Sequence, residues 1–267
     1  MSASIEKNSF SKRLKSMLSV DLKRMFTTPL YYIMIGVSIV IPILILVMTT
    51  MMDGTVSTDP QTGAETVMQG FDNVWQIIGS LSTANATMSM DLTSMCNINM
   101  MFFLVAVFVC IFVADDFRSG YAKNLFTVRA KKNDYVISKT IVCFIAGASM
   151  LIAFFIGAML GGAVANLSFS LNGATVVGII MSMLSKIFLV AIFVSIFILA
   201  GVISKQKLWL SILLSLGIGM LFYTMVPMIT PLDAGILNVV LCLVGGILFS
   251  VLFVYLSTLI LNKRDIL

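Results

Sequence analysis

Apolar residues fall along this chain in six long runs separated by polar connectors, and runs of that length predict helices rather than strands. The first, residues 30–51, opens on Tyr31 and Tyr32 as interfacial anchors and carries Pro42 as a kink. The second covers 98–114 and the third 135–163, the latter with Gly157 and Gly161 at GxxxG spacing. The apolar stretch from Ala174 to Ser204 exceeds one upright crossing, and a charge at the bilayer centre is expensive. Lys186 is therefore expected near an interface, with the fourth span at 187–204 and the preceding part lying along the outer interface. The fifth, 208–226, starts beside Trp209 and is stopped by Pro227 and Pro231; the sixth covers 235–261. The pattern predicts an all-α polytopic membrane protein with six transmembrane helices in a single domain over residues 1–267.

Two further stretches show helical spacing. Phe10, Leu14, Met17, Leu18, Leu22 and Met25 form one stripe within the leader, residues 1–29, with Lys12, Arg13, Lys15, Lys23 and Arg24 mostly opposite. This predicts an N-terminal amphipathic helix in the membrane interface, the alternative being a helix packed on the protein itself. Val67, Phe71, Val74, Trp75, Ile78 and Leu81 recur in the same way and suggest a short helix on the outer interface.

Charge fixes the orientation. Residues 52–97 carry Asp53, Asp59, Glu65, Asp72 and Asp91 without a lysine or arginine, which assigns that loop to the outside. Basic residues fall beside the opposite ends of the spans, placing both termini in the cytoplasm of a plasma membrane, bacterial by preference, with only Lys186 on the outer half. The same distribution explains the net charge of +5 by a membrane surface, without nucleic acid.

Composition excludes several chemistries. The chain is 59% hydrophobic and 11% charged, has no histidine, and scatters Cys96, Cys110, Cys143 and Cys242 without metal-ligand spacing. No metal, haem or histidine-based catalytic site is expected. Acids are confined to the connectors, which argues against an ion-coupled carrier and against a membrane enzyme. No phosphate-binding GxxxxGK[ST] loop is present, so any ATP chemistry belongs to a second polypeptide.

The one large charged connector between apolar runs is DDFRSGYAKNLFTVRAKKNDYVISK, from Asp115 to Lys139. Acid leads and base follows, as suits a short helix under the membrane domain that faces a soluble partner; the alternative is a solvated connector whose lysines only fix orientation. Adjacent Asp115 and Asp116 diverge by about 100° on a helix, so they favour a structural role over a metal pair. On a continuous helix from Asp115, Phe117 and Tyr121 would share a face, with Arg118 one position round.

Six spans with inside termini, an amphipathic leader, and Asp115, Asp116 and Gly120 directly after the second span resemble the permease subunit of an ABC-2 type exporter. Leu125, Phe126, Arg129, Lys131, Tyr135 and Lys139 match the family's leucine-rich helix and basic segment, while Tyr121 and Arg129-Ala130 depart from it. The resemblance implies two permeases, identical or sisters, with two separate ATPase subunits that bind ATP and Mg. Residues 115–134 would be the coupling loop, docking the ATPase through Asp115, Asp116, Phe117, Arg118, Ser119, Gly120 and Tyr121. It implies no catalytic residue and no cofactor bound by this chain. Export of an amphipathic or hydrophobic substrate is implied, an antimicrobial peptide or drug by preference, past Phe102, Phe103, Phe222 and Tyr223. The alternatives are a non-transport anchor or sensor and an exporter of lipids or glycans, and those aromatics can equally face lipid or neighbouring helices.

Overall fold

The computed structural model describes residues 10–58, 65–67, 70–79, 96–127, 131–171, 174–204, 207–223, 226–232 and 234–263. Helices dominate: α1 Phe10–Thr27, α2 Pro29–Met52, α3 Met101–Arg118, α4 Tyr121–Thr127, α5 Lys132–Val164, α6 Val176–Ile203, α7 Leu208–Tyr223, α8 Val226–Ile229 and α9 Ile236–Asn262. A hairpin of two three-residue strands, β1 Val56–Thr58 and β2 Glu65–Val67, follows α2. Among the described residues, five helices are long and apolar enough to cross a membrane, and the apolar part of α7 is shorter. The protein is therefore an all-α polytopic membrane protein, with the small hairpin as an addition.

Large side chains fill the centre. Phe102 on α3 stacks on Phe193 of α6 at 4.3 Å, and Phe108 stacks on Phe112 at 5.6 Å with the Tyr31 ring edge-on to it. Gly157 and Gly161 of α5 bring α2 in closely: a Cβ at Gly157 would clash with the Ile39 carbonyl, and one at Gly161 would lie 2.8 Å from the Ile43 Cα. The GxxxG spacing is thus a helix contact. α9 and α2 keep broad apolar faces exposed, as lipid-facing helices do.

Three expectations change. α6 is one continuous helix of 28 residues, not an interfacial piece followed by a span from 187. Lys186 does not break it, because the side chain is fully buried and donates to the Thr230 carbonyl at 2.9 Å and to Thr230 Oγ1 at 2.6 Å. The stretch around Trp75 is only a 3-10 turn, Val74–Ile77, fixed by Asn73 and by Trp75 Nε1 donating to the Phe169 carbonyl at 3.1 Å. Its buried Phe71, Val74, Ile77 and Ile78 pack on the protein, while Leu81 lies outside the described residues.

α1, finally, packs on the protein. Arg13 meets Asp134, Asp21 meets Ser138 and Lys139, and Tyr31 beyond the Thr28 break meets Ser149. These contacts advance in one direction along both chains, so α1 accompanies the first turns of α5. With 33 residues, α5 is about 50 Å long, well beyond the ~30 Å hydrocarbon core, so its end has room for such a companion.

Candidate functional site: a charged junction of four helix ends

The loop after α3 holds the site, and its geometry begins with a turn. α3 ends at Arg118, where the Ser119 hydroxyl donates to the Asp115 carbonyl at 2.7 Å, and Gly120 takes φ +75° before α4 begins. That left-handed position suits glycine, which has no Cβ to resist it. Asp115 to Tyr121 is therefore not a continuous helix, and Phe117 and Tyr121 do not form a pair on one face.

Asp116 faces inward. Its Oδ1 accepts from Arg24 Nη1 at 2.6 Å, and its Oδ2 pairs with Lys139 Nζ at 2.7 Å and accepts from the Tyr135 hydroxyl at 2.9 Å. Lys139 Nζ also donates to Asp21 Oδ1 at 2.8 Å, while Asp21 Oδ2 accepts from Ser138 Oγ at 2.6 Å. Asp21, Asp116 and Lys139 are all fully buried, so two carboxylates and two cations from α1, α3 and α5 close a network of balanced charge. Such a group holds together because each member satisfies another; removal of one would strand a buried charge.

α4 attaches through aromatic contacts. The Arg24 guanidinium carbon stands 4.1 Å from the centre of the Tyr121 ring, and Lys139 Nζ stands 4.4 Å from that of Phe112. Phe117 and Phe126 meet the Tyr135 ring edge-on at 6.1 and 5.4 Å. Burial opposes the Arg24 charge, yet Asp116 outweighs it and holds the guanidinium above its ordinary pKa. Burial likewise raises the Tyr121 hydroxyl, with Asp21 adding to the effect.

The residues expected at this site thus separate. Asp116 is locked inside, Phe117 and Tyr121 are half-buried in the junction, and Asp115, Arg118 and Ser119 are exposed, Asp115 reaching Arg24 at 3.8 Å. Lys123, Asn124 and Thr127 are exposed on α4, and Arg129 lies outside the described residues. Of the aromatics expected along a substrate path, Phe102 is core, Phe103 is half-buried, and the side chains of Phe222 and Tyr223 lie outside the described ones. Sequence reasoning missed Asp21. Its signal was an acid inside the apolar stripe of α1, between Met17 and Met25.

The other helix ends meet the same face. Arg13 Nε donates to buried Asp134 at 2.9 Å, and Lys132 Nζ donates to the Leu261 carbonyl at the end of α9 at 2.9 Å. The fold and this junction define a multi-pass helical membrane protein with a consolidated, basic loop face and no metal-binding cluster among the described residues. More particularly, the chain belongs to the ABC-2 transporter family: the family profile described as ABC-2 family transporter protein matches residues 22–227. Its members are membrane permeases of ABC transporters. Neither a curated protein nor a solved structure matches the chain.

Proposed function

We propose that this chain is the permease half of an ATP-driven exporter whose ATPase is a separate polypeptide docking on the junction face. The observation that carries this reading is the junction: Asp116, Lys139, Asp21 and Arg24 weld the ends of α1, α3 and α5 into one body, while Arg118 at the end of α3 and Lys123 on α4 are exposed. A partner pushing there would move three helix ends together. The basic flank of that face supports a cytoplasmic orientation by the positive-inside rule. ATP and Mg would be held by the partner. Two permeases, identical or sisters, would enclose the path, since α2 and α9 leave broad apolar faces uncovered. The mostly apolar body suits an amphipathic or hydrophobic substrate, with a peptide or drug preferred to a lipid or glycan.

The docking test uses exposed residues, because Phe117 and Tyr121 belong to the junction itself. Arg118→Glu with Lys123→Glu reverses the exposed charge and leaves the buried network intact. The ATPase should then fail to co-purify while the permease reaches the membrane in normal amount with an unchanged thermal midpoint. Retention of the ATPase at the parental level would refute docking at α4.

A further inference from the structure

α1 carries five cations, Lys12, Arg13, Lys15, Lys23 and Arg24, and one acid, Asp21. The acid turns inward to Ser138 and Lys139, Arg13 pairs with Asp134, and Arg24 pairs with Asp116. Lys12, Lys15 and Lys23 are exposed and make no ion pair among the described residues. Lys15, Ser19 and Lys23 follow one another at four-residue spacing, and Lys12 lies three before Lys15, so they share the ridge of α1 that points away from Asp21 and Met25. Like charges on one ridge repel, and α1 holds no further acid to offset them. Exposed Phe26 continues the ridge and exposed Val20 flanks it. Unpaired lysines with apolar residues beside them are what an anionic bilayer surface attracts.

The depth of the ridge follows from α9. Lys132 Nζ donates to the Leu261 carbonyl and the Thr258 hydroxyl donates to Asn133 Oδ1 at 3.3 Å, so the end of α9 is level with the start of α5. Tyr255, exposed one turn back along α9, is then within about a turn (~5 Å) of the level of Ser138, the partner of Asp21. Leu252, Leu256 and Leu259 are exposed around it, and exposed Asn262 and Lys263 follow. A tyrosine among lipid-facing leucines, close to a polar end, marks where hydrocarbon gives way to headgroups. α1 lies beside α5 at that depth.

We propose that the outward ridge of α1 is a binding surface for anionic phospholipid headgroups of the leaflet on the junction side. Lys15 and Lys23 take phosphate oxygens, Ser19 donates between them, and Lys12 extends the surface. Because Asp21 and Arg24 of the same helix belong to the buried network, lipid bound outside holds α1 against α3 and α5. The inference needs only the depth of α1; it rests neither on which leaflet is cytoplasmic nor on how the ATPase docks.

The test is native mass spectrometry of the full-length permease, titrated with phosphatidylglycerol and, separately, with phosphatidylcholine. A lysine at an anionic surface contributes on the order of fivefold in affinity, so Lys15→Gln with Lys23→Gln should weaken phosphatidylglycerol binding on the order of tenfold or more and leave phosphatidylcholine unchanged. Lys15→Arg with Lys23→Arg keeps the charge and should bind as the parent does. Lys123→Gln with Lys131→Gln, which removes the same charge from other exposed positions, should also bind as the parent does. None of these changes touches the buried network, so thermal midpoints without added lipid should match the parent; added phosphatidylglycerol should raise the midpoint of the parent and not that of the Lys15/Lys23 glutamine pair. Parental phosphatidylglycerol affinity in that pair would overturn the proposal, as would an equal loss in the Lys123/Lys131 pair. Loss of ATPase co-purification in the Lys15/Lys23 pair with phosphatidylglycerol affinity intact would assign the ridge to the protein partner instead.

Discussion

Replacing Lys139 by methionine removes a cation from the centre of the junction and nothing else of comparable volume. Asp21 and Asp116 would then be two fully buried carboxylates with only the partly exposed Arg24 left between them as a positive charge. Breaking a buried pair by deleting one partner costs about 3–5 kcal/mol, because the surviving charge keeps its desolvation penalty without its counter-charge. At about 2–4 °C per kcal/mol for a large domain, the thermal midpoint of Lys139→Met in detergent should fall on the order of 10 °C.

A double substitution separates charge imbalance from lost packing. Lys139→Met with Asp21→Asn leaves Asp116 paired with Arg24 and keeps an oxygen for Ser138 to bond. If the imbalance is what costs, the double variant should recover at least about 1–2 kcal/mol of the loss, a coupling typical of residues in one network. The assay is fluorescence-detected size exclusion after a heating series, with membrane abundance measured in parallel. Additive losses in the double variant, or a Lys139→Met midpoint within about 2 °C of the parent, would refute the claim that these groups stabilise one another.

Two other expectations follow from the packing and the charge pattern. Gly157→Val should destabilise the contact between α2 and α5 by about 1–3 kcal/mol, the usual cost of overpacking, whereas Gly245→Ala, where a Cβ meets nothing within 4 Å, should leave the thermal midpoint unchanged. Lys131→Cys, exposed at the start of α5, should react with an impermeant maleimide in inverted vesicles and not in intact cells; the opposite result would reverse the orientation.

The helices were legible because apolar run length is a strong signal, and the boundaries of α2, α7 and α9 are close to where Tyr31, Trp209 and Lys263 mark the ends of their runs. Lys186 misled for a definite reason: the argument from charge assumes a group facing lipid, and Thr230, distant by 44 positions, supplies the acceptors that make burial possible. The stretch around Trp75 misled similarly, since apolar residues at helical spacing also serve a 3-10 turn clamped to Phe169 by a hydrogen bond spanning 94 positions. The junction was half legible. Asp115, Asp116 and Gly120 drew attention as a charged connector, but which carboxylate turns inward depends on Arg24, Lys139 and Tyr135 converging from other helices, a pairing no local pattern contains.

The layout of rigid and yielding points bears on how a push at α4 would travel. α5 leaves the junction at Lys139 and runs as one unbroken helix to Gly157 and Gly161, where its backbone meets α2 without intervening side chains. α2 is the less uniform partner. It is separated from α1 by the extended Thr28, and Pro42 inside it lacks the amide hydrogen that would continue the ladder. A displacement imposed on the welded ends of α1, α3 and α5 would therefore pass along α5 with little loss, and the bend it demands would be taken up in α2, at Thr28 on the junction side and near Pro42 beside the glycine contact. α2 keeps Tyr32, Ile33, Val37, Val40, Leu44 and Met48 on an exposed face. If a second permease covers that face, the helix that bends is also the helix that meets its partner, so motion entering at the buried charges would emerge as a change in the contact between the two permeases.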